Sequence, residues 1–505
     1  MANSVFELLS AGKPDAPAII EPAGPTLSFA QLRQQVSHIA GQLNALGIGR
    51  NDRVAIVLPN GPEAAVAFLA VAACATAAPL NPAYREDEFR FYMDDLRAKA
   101  LVTLPDDASA AHAAAGNEVL RIELAGQPGS YTLTCDGSAP APATPVYAQP
   151  DDVALVLHTS GTTARPKIVP LLQRNLVVST GNIMESLALT PEDRCLNVMP
   201  LFHIHGLMAA LLASLGAGAS VVTSPGFDAF RFFGWLEETT PTWYTAVPTM
   251  HQLVLSRAAR QKETVARTKL RFIRSSSASL PPSVMADLEK TFGAPVIEAY
   301  GMTEASHQMA TNPLPPGARK PGAVGMGAGV DVAIMDEEGN LLDETRTGEV
   351  VIKGGNVTSG YENNPAANES SFTHGWFRTG DQGYLDNDGY LYLTGRLKEI
   401  INRGGEKVSP REVDEVLLQH PAVAQAVAFG VPHERLGEEV AAAVVLAEGA
   451  SADEKELREH AAKHLADFKV PKTIVILQDI PKGATGKVQR IGLAEKLGLS
   501  QASKA

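Results

Sequence analysis

The spacing of apolar residues predicts the first helix directly. From Ser28 onward, Phe29, Leu32, Val36, Ile39, Leu43 and Leu46 recur at helical intervals on one face. Ser28 and Gln31 form a capping-box pair at the start, and Gly47 can end the helix. Apolar runs then alternate with helical stretches. Val54–Leu58 predicts a strand, Glu63–Ala73 a helix and Ala100–Leu104 a strand. The Pro- and Ala-rich stretch Ser138–Pro150 is a loop leading into the apolar strand Val153–Leu157. A second α/β block follows. It has strands at Cys195–Met199, Ser220–Thr223 and Trp243–Ala246, a buried helix at Leu207–Leu215, and a helix at Phe227–Glu238.

After Gly325 the pattern shortens into strands, Val330–Met335, Gly348–Lys353 and Gly389–Thr394, joined by hairpin-type turns at Asp336–Asn340 and Asp386–Gly389. Beyond Gly395–Glu399 the chain restarts. Ser409 and Pro410 cap a helix through Gln419, and Asp453–His464 is helical. Val423–Phe429, Val440–Leu446 and Thr473–Leu477 are strands. The expected fold is α/β: a large N-terminal domain of two α/β layered subdomains plus a β-rich subdomain, then a small α+β C-terminal domain. The boundaries are 1–395, a link at 396–398, and 399–505.

Length supports that division, since 505 residues exceed what one core organises. A net charge of −13 argues against nucleic acid as a general partner, but leaves a local phosphate pocket open. Three scattered cysteines suit a reducing, cytoplasmic setting. No basic-then-apolar leader is expected at the N-terminus. Ala64–Leu80 is Ala-rich and ends near Pro79, which predicts a buried helix rather than a membrane span.

The candidate chemistry begins after Leu157, in His158-Thr-Ser-Gly-Thr-Thr-Ala-Arg-Pro-Lys167. Small and hydroxylic residues, Thr159, Ser160, Gly161, Thr162 and Thr163, let backbone N–H groups and hydroxyls close on an anion, and Lys167 adds positive charge. Pro166 and Ile168 around the lysine exclude a Walker A loop. Downstream, Glu298-Ala-Tyr-Gly-Met-Thr-Glu304 sets a ring, a hydroxyl and a carboxylate in one short stretch. Tyr300 can stack on a base, Thr303 can bond phosphate, and Glu304 can hold Mg²⁺, which prefers oxygen. Asp381, after a Gly turn, is a candidate for ribose hydroxyls and Arg396 for ribose or phosphate. Lys487 lies on the Gly-flexible loop Pro481–Arg490. Each of these alone also has a plainer reading: a polar surface turn for the Thr/Ser/Gly segment, a capping threonine at a strand end for Thr303, a hairpin aspartate for Asp381, a solvated arginine for Arg396 and a basic tail loop for Lys487.

In this order and combination they resemble the acyl-adenylate-forming superfamily: acyl-CoA synthetases, firefly luciferase and peptide-synthetase adenylation domains. The resemblance spans nearly the whole chain. Ala164 and Ile168 depart from it, standing where the family has Gly. It implies a carboxylate activated by MgATP to an acyl-AMP and then passed to CoA. It further implies Thr159–Thr163 and Lys167 on the β- and γ-phosphates, and Ser277, Ala278, Glu298, Ala299 and Tyr300 around adenine. Thr303 would touch the α-phosphate, Glu304 the Mg²⁺, and Asp381 and Arg396 the ribose. Lys487 would stabilise the adenylation transition state, Lys398 would be the hinge of a mobile C-terminal domain, and Gly404 and Gly405 would leave room for the pantetheine of CoA.

For the acid, His203 and His205, the serines at 275–277 and His307 offer imidazoles and hydroxyls where a fatty or aryl acid would want an apolar tunnel. A small, doubly charged acid is expected, with His203 also at the position of the family's aromatic gate. The stretches Pro200–Leu207, Trp243–Thr249, Arg271–Leu280, Thr303–His307 and Ile401–Lys407 resemble the oxalate–CoA ligases of that family. This implies His203, Ser277, Gly301 and His307 at the acid, with oxalate as substrate and malonate or another short acid as the alternative. A P-loop kinase, a carrier-loading adenylation module and a non-catalytic nucleotide binder are the competing classes.

Overall fold

A computed structural model of the chain describes residues 2–105, 110–159, 166–481 and 490–499. It contains two compact units, Met1–Val332 with Ile352–Phe377, and Ala333–Val351 with Arg378–Ala505. The expected link at 396–398 concerns movement rather than compactness.

The first unit is α/β. Among the described residues one sheet has nine strands, ordered Met326–Gly327, His307–Thr311, Val296–Met302, Phe272–Ser275, Trp243–Ala246, Arg194–Asn197, Ser220–Thr223, Pro17–Ile20 and Thr26–Ser28. Its centre, from Ser220–Thr223 to Val296–Met302, is parallel. Helices such as Phe232–Thr239, Pro248–Ala258 and Pro282–Phe292 cross over between these strands and bury Trp235, Val254 and Leu288 against Tyr244 and Ile273. A seven-stranded sheet carries Val153–Thr159 and Lys167–Leu172 as an antiparallel pair at one edge.

The helix at Phe29–Ala45 forms as its periodicity demands. Ser28 Oγ accepts from Gln31 N–H, Gln31 returns the bond to Ser28 N–H, and Phe29, Leu32, Val36, Ile39 and Leu43 are buried. Pro62–Cys74 is the buried helix expected around Ala64–Leu80. No helix among the described residues is long and apolar enough to cross a membrane.

Two helices differ from expectation. Phe227–Glu238 starts late, at Phe232, because Asp228 Oδ1 accepts from Phe230 N–H (2.7 Å) and Arg231 N–H (3.2 Å), making an Asx turn first. Leu207–Leu215 is instead a π-helix, His205–Leu212, that relaxes into one α turn, Ala213–Gly216. Its start presses on the preceding loop so closely that a Cβ on Gly206 would stand 2.3 Å from Pro200 O. Such wide turns re-aim side chains and recur at functional sites.

In the second unit, Asp381–Leu385 pairs antiparallel with Leu391–Arg396. The C-terminal part is α+β. Its strands are ordered Glu406–Val408, Ile401–Arg403, Gly437–Leu446 and Val423–His433, and Thr473–Leu477 pairs parallel with Gly437–Leu446. Helix Pro410–Leu417, capped by Ser409, packs Val413 and Leu417 against Val440 and Leu457. Asp414 on this helix is buried, accepts from Ala428 N–H and pairs with Arg490, which also donates to Ala428 O (2.8 Å).

Candidate active site

In an open α/β sheet the carboxyl ends of parallel strands form the natural crevice for a ligand. Here that edge gathers most of the expected acid-side residues. Arg194–Asn197 leads into the loop bearing His203 and His205. Trp243–Ala246 carries Thr245, and Phe272–Ser275 carries Arg274 and runs on to Ser277. Val296–Met302 carries Glu298 to Gly301. Register makes Asn197, Thr245 and Arg274 lateral neighbours, so they share a face of the sheet, opposite the Tyr244 and Ile273 core.

A polar cluster with no exposed member lies on that face. His205 Nδ1 is 3.0 Å from Ser277 Oγ, and its Nε2 is 2.6 Å from Thr245 Oγ1. The His205 and His307 rings stack, centroids 4.9 Å apart. Arg274, fully buried, sends one terminal nitrogen to His205 Nε2 (3.3 Å) and Thr245 Oγ1 (3.4 Å) and the other to His307 Nε2 (3.1 Å) and Gln308 Oε1 (3.0 Å). Burial pulls the Arg274 guanidinium down to about 9. Ser277, Ser306 and His307 all hold positive φ, at 72°, 48° and 96°. Non-glycine residues reach that region at a cost, and such strain collects where a site dictates side-chain direction. Gly301 lies so near His307 that a Cβ on it would meet the His307 carbonyl oxygen at 1.9 Å. His203 stands half-buried, its Nδ1 accepting from His205 N–H (3.3 Å).

A second group joins through Tyr361. Thr159 and Lys167 face each other across the strand pair that flanks the Thr/Ser/Gly segment. The Lys167 ammonium sits 4.2 Å from the centre of the Tyr361 ring, and Tyr361 O–H donates to Glu304 Oε1 (2.8 Å). Glu304 belongs to the short 3₁₀ turn Thr303–Ala305, which follows directly on the Tyr300–Gly301 strand end. Its carboxylate accepts from the Tyr361 hydroxyl, and carboxylate oxygens are the donors that Mg²⁺ prefers. Among the described residues no three His, Cys, Asp or Glu side chains cluster as a complete metal cage. Glu298 is buried and its Oε1 accepts from Leu280 N–H (3.1 Å), while Ala299 O accepts from Ser276 Oγ (2.8 Å). These bonds tie the Ser275–Leu280 loop, with Ser277 and Ala278, to the strand bearing Tyr300. Ser160, Gly161, Thr162, Thr163 and Lys487 lie outside the described residues.

The sequence of the chain matches the AMP-binding enzyme family over residues 6–362 and the AMP-binding enzyme C-terminal domain over residues 412–487. The chain belongs to the AMP-binding enzyme family. Among its relatives in this family, the oxalate–CoA ligase of Arabidopsis thaliana is 49% identical over 97% of both chains. The oxalate–CoA ligase of Saccharomyces cerevisiae is 42% identical, over 94% of this chain and 93% of the relative. The crystal structure of ATP-bound MatB from Rhodopseudomonas palustris superimposes with a TM-score of 0.88 at 32% identity, covering 98% of this chain and 99% of that one.

The second unit holds the remaining residues expected of an AMP-binding enzyme. Asp381 and Arg396 are cross-strand partners, Arg396 Nε donating to Asp381 Oδ1 at 2.8 Å. Asp381 N–H donates to Thr379 Oγ1 (3.1 Å), which fixes the start of the turn. Lys398 is exposed in the turn after Leu391–Arg396. Gly404 and Gly405 form a two-residue hairpin loop with φ of 60° and 95°, a conformation that asks for glycine on backbone grounds alone.

Sequence reasoning placed Thr245 at the start of an acid-pocket segment but passed over Gln308, Tyr361 and above all Arg274. The signal was present. The strand Phe-Ile-Arg-Ser sits between two parallel neighbours, where an unbroken apolar run is the rule, and a guanidinium there needs a reason.

Proposed function

We propose that this AMP-binding enzyme is an AMP-forming acid–CoA ligase that activates oxalate to oxalyl-CoA. In the first step a carboxylate oxygen of oxalate attacks the α-phosphorus of MgATP. The bond from that phosphorus to the bridging oxygen breaks, and pyrophosphate leaves with the electron pair. In the second step the sulfur of CoA attacks the acyl carbon of oxalyl-AMP, the acyl–oxygen bond breaks, AMP departs, and the thiol proton goes to solvent. Both steps depend on positioning and charge stabilisation, so no covalent enzyme intermediate is needed.

The observation that carries the acid's identity is the His205, Ser277, His307 and Arg274 cluster at the strand ends. It gives donors and a buried positive charge where a long or aromatic acid would need apolar walls. The two oxalate–CoA ligase relatives support the same reading. His203, half-buried beside His205, and Gly301, against His307, complete the acid side. Thr159–Thr163 and Lys167 hold the β- and γ-phosphates. Ser277, Ala278, Glu298, Ala299 and Tyr300 line the adenine, and Thr303 reaches the α-phosphate. Glu304 would hold Mg²⁺, which would neutralise phosphate charge. Asp381 and Arg396 take the ribose, and Lys487 stabilises the adenylation transition state. Lys398 is the hinge between 1–395 and 399–505, and Gly404 and Gly405 line the path of the pantetheine. Three unpaired cysteines, Cys74, Cys135 and Cys195, agree with a cytoplasmic setting.

A panel of carboxylic acids read out as AMP formation tests the proposal. Oxalate is expected to give the highest kcat/KM, with AMP appearing in step with CoA consumption. Octanoate or coumarate outperforming oxalate rejects it.

A further inference from the structure

We infer that Arg274 is a positioning residue that fixes His205 and His307 as the tautomers carrying hydrogen on Nδ1. His307 thereby becomes a donor toward a bound dicarboxylate, and His205 passes its donor on through the Ser277 hydroxyl. The inference rests on the reading of this cluster as the seat of a small diacid.

A guanidinium only donates hydrogen bonds. Arg274 lies 3.3 Å from His205 Nε2 and 3.1 Å from His307 Nε2, so each Nε2 must present its lone pair. Thr245 agrees. Its Oγ1 accepts from Arg274 at 3.4 Å, which leaves its own hydroxyl hydrogen able to point at His205 Nε2, 2.6 Å away. A neutral imidazole with a bare Nε2 carries its hydrogen on Nδ1. His205 Nδ1 then donates to Ser277 Oγ (3.0 Å), and the Ser277 hydroxyl keeps its own hydrogen for another acceptor. His307 Nδ1 lies 3.2 Å from where Gly301 would carry a Cβ, so it faces the space that glycine leaves.

The charge balance points the same way. Arg274 is fully buried, and its partners are two neutral rings, one hydroxyl and one amide. Gln308 spends its amide N–H on Ser186 Oγ (2.8 Å) rather than on an acid. Among the described residues no carboxylate pairs with Arg274, and its Nε has no partner. A buried positive charge without a counter-ion is costly, and an arriving anion relieves that cost, a dianion more than a monoanion. Arg274 thus acts through the rings and through its field, one layer behind the substrate.

Two measurements test this. The first is two-bond nitrogen–proton correlation on protein with ¹⁵N-labelled histidine rings, assigned with His205→Asn and His307→Asn. The expected signature in the unliganded enzyme is Nδ1–H for both rings. An Nε2–H ring or an imidazolium at either position overturns the assignment. The second is Arg274→Met, with folding checked by thermal melting and Arg274→Lys as the conservative control. Loss of a buried charged donor should raise the KM for oxalate by about 30-fold. The KM for ATP should hold, and the preference for oxalate over acetate should fall by about tenfold. A folded Arg274→Met enzyme with unchanged oxalate-to-acetate discrimination overturns the charge role. If the methionine variant does not fold, the wild-type ring spectrum still decides. Should the wild-type enzyme prefer another diacid, the oxalate assignment fails alone, and Arg274 is tested with that diacid against its monoacid.

Discussion

Gly301 tolerates no side chain, because the nearest atoms to its Cβ position are the carbonyl oxygen and carbon of His307, at 1.9 and 2.6 Å. These are backbone atoms, which cannot rotate away. Gly301→Ala therefore has to push the His307 strand aside, and His307 with its strained φ of 96° is the residue displaced. The expected result is a loss of about 3 kcal/mol in urea unfolding, from overpacking against fixed backbone. The KM for the acid should rise with little change in that for ATP. Wild-type acid affinity in Gly301→Ala would show that the two strands separate without cost to the site. His251 gives a different residue-scale test. It is fully buried beside Tyr244, and burial drags its imidazole down to about 3, against the opposing pull of the Arg274 and Ala246 carbonyls. The unfolded ring titrates near 6.5, so between these values the unfolded chain binds the extra proton. Stability from this group is complete above about pH 6.5 and drains away as pH falls toward about 3, at most about 1.4 kcal/mol per pH unit. Burial also lowers His158, adding in the same direction. His251→Gln should flatten the decline of urea stability between pH 6 and 4, and an unaltered slope would assign that decline to other groups.

At the scale of elements, periodicity was a sound guide wherever one face is buried and a cap is local. Ser28, Ser409 and Asp453 each bond the third residue ahead, and the helices begin where those residues stand. The strands Ser220–Thr223, Trp243–Ala246, Gly348–Lys353 and Thr473–Leu477 occupy their expected positions. What escaped were features set by tertiary contact. The π-turn at His205 comes from close packing on Pro200. The Tyr361 bridge between Lys167 and Glu304 joins positions far apart in the chain, and spacing carries no trace of it. Arg274 hid inside a strand that pattern alone assigns to the core. The motif residues could be read because each lies in a short, glycine-marked stretch, and their partners could not because they arrive from other elements. The Gly404–Gly405 hairpin shows how the two kinds of information combine. A Cβ on Gly405 meets nothing within 4 Å, so its glycine is explained by φ, not by space. Gly405→Ala should cost about 1–2 kcal/mol of stability through the left-handed conformation. If the pantetheine passes this turn, the same variant raises the KM for CoA while pyrophosphate release without CoA stays unchanged. An unchanged KM for CoA would remove these glycines from the thiol path.

At the scale of the whole molecule, the reaction makes two incompatible demands. Adenylation needs a cation at the α-phosphate while pyrophosphate leaves, and thioester formation needs an open approach for a thiol at the same acyl carbon. The proposed division of labour assigns the first to Lys487 and the second to the segment after Lys398, which requires the C-terminal part to turn between steps. Local structure permits a test. Lys398 is exposed in a turn whose backbone bonds, Leu397 N–H to Gly380 O and Glu399 N–H to Arg396 O, do not use its own N–H. Lys398→Pro therefore removes no such bond, but it fixes φ at that residue and restricts Leu397 before it. Arg490, three residues after Lys487, is held by Asp414 and Glu399 in the C-terminal part. Lys487→Ala is expected to lose adenylation by about a thousandfold, the scale on which a single stabilising donor acts, while still turning supplied oxalyl-AMP and CoA into oxalyl-CoA. Lys398→Pro should separate the half-reactions the other way or the same way, according to which orientation the fixed φ favours. In either case it should not slow both equally. Equal loss of both half-reactions in Lys487→Ala, or equal loss in a folded Lys398→Pro, would mean that one arrangement of the chain serves both steps, and the hinge would have no function.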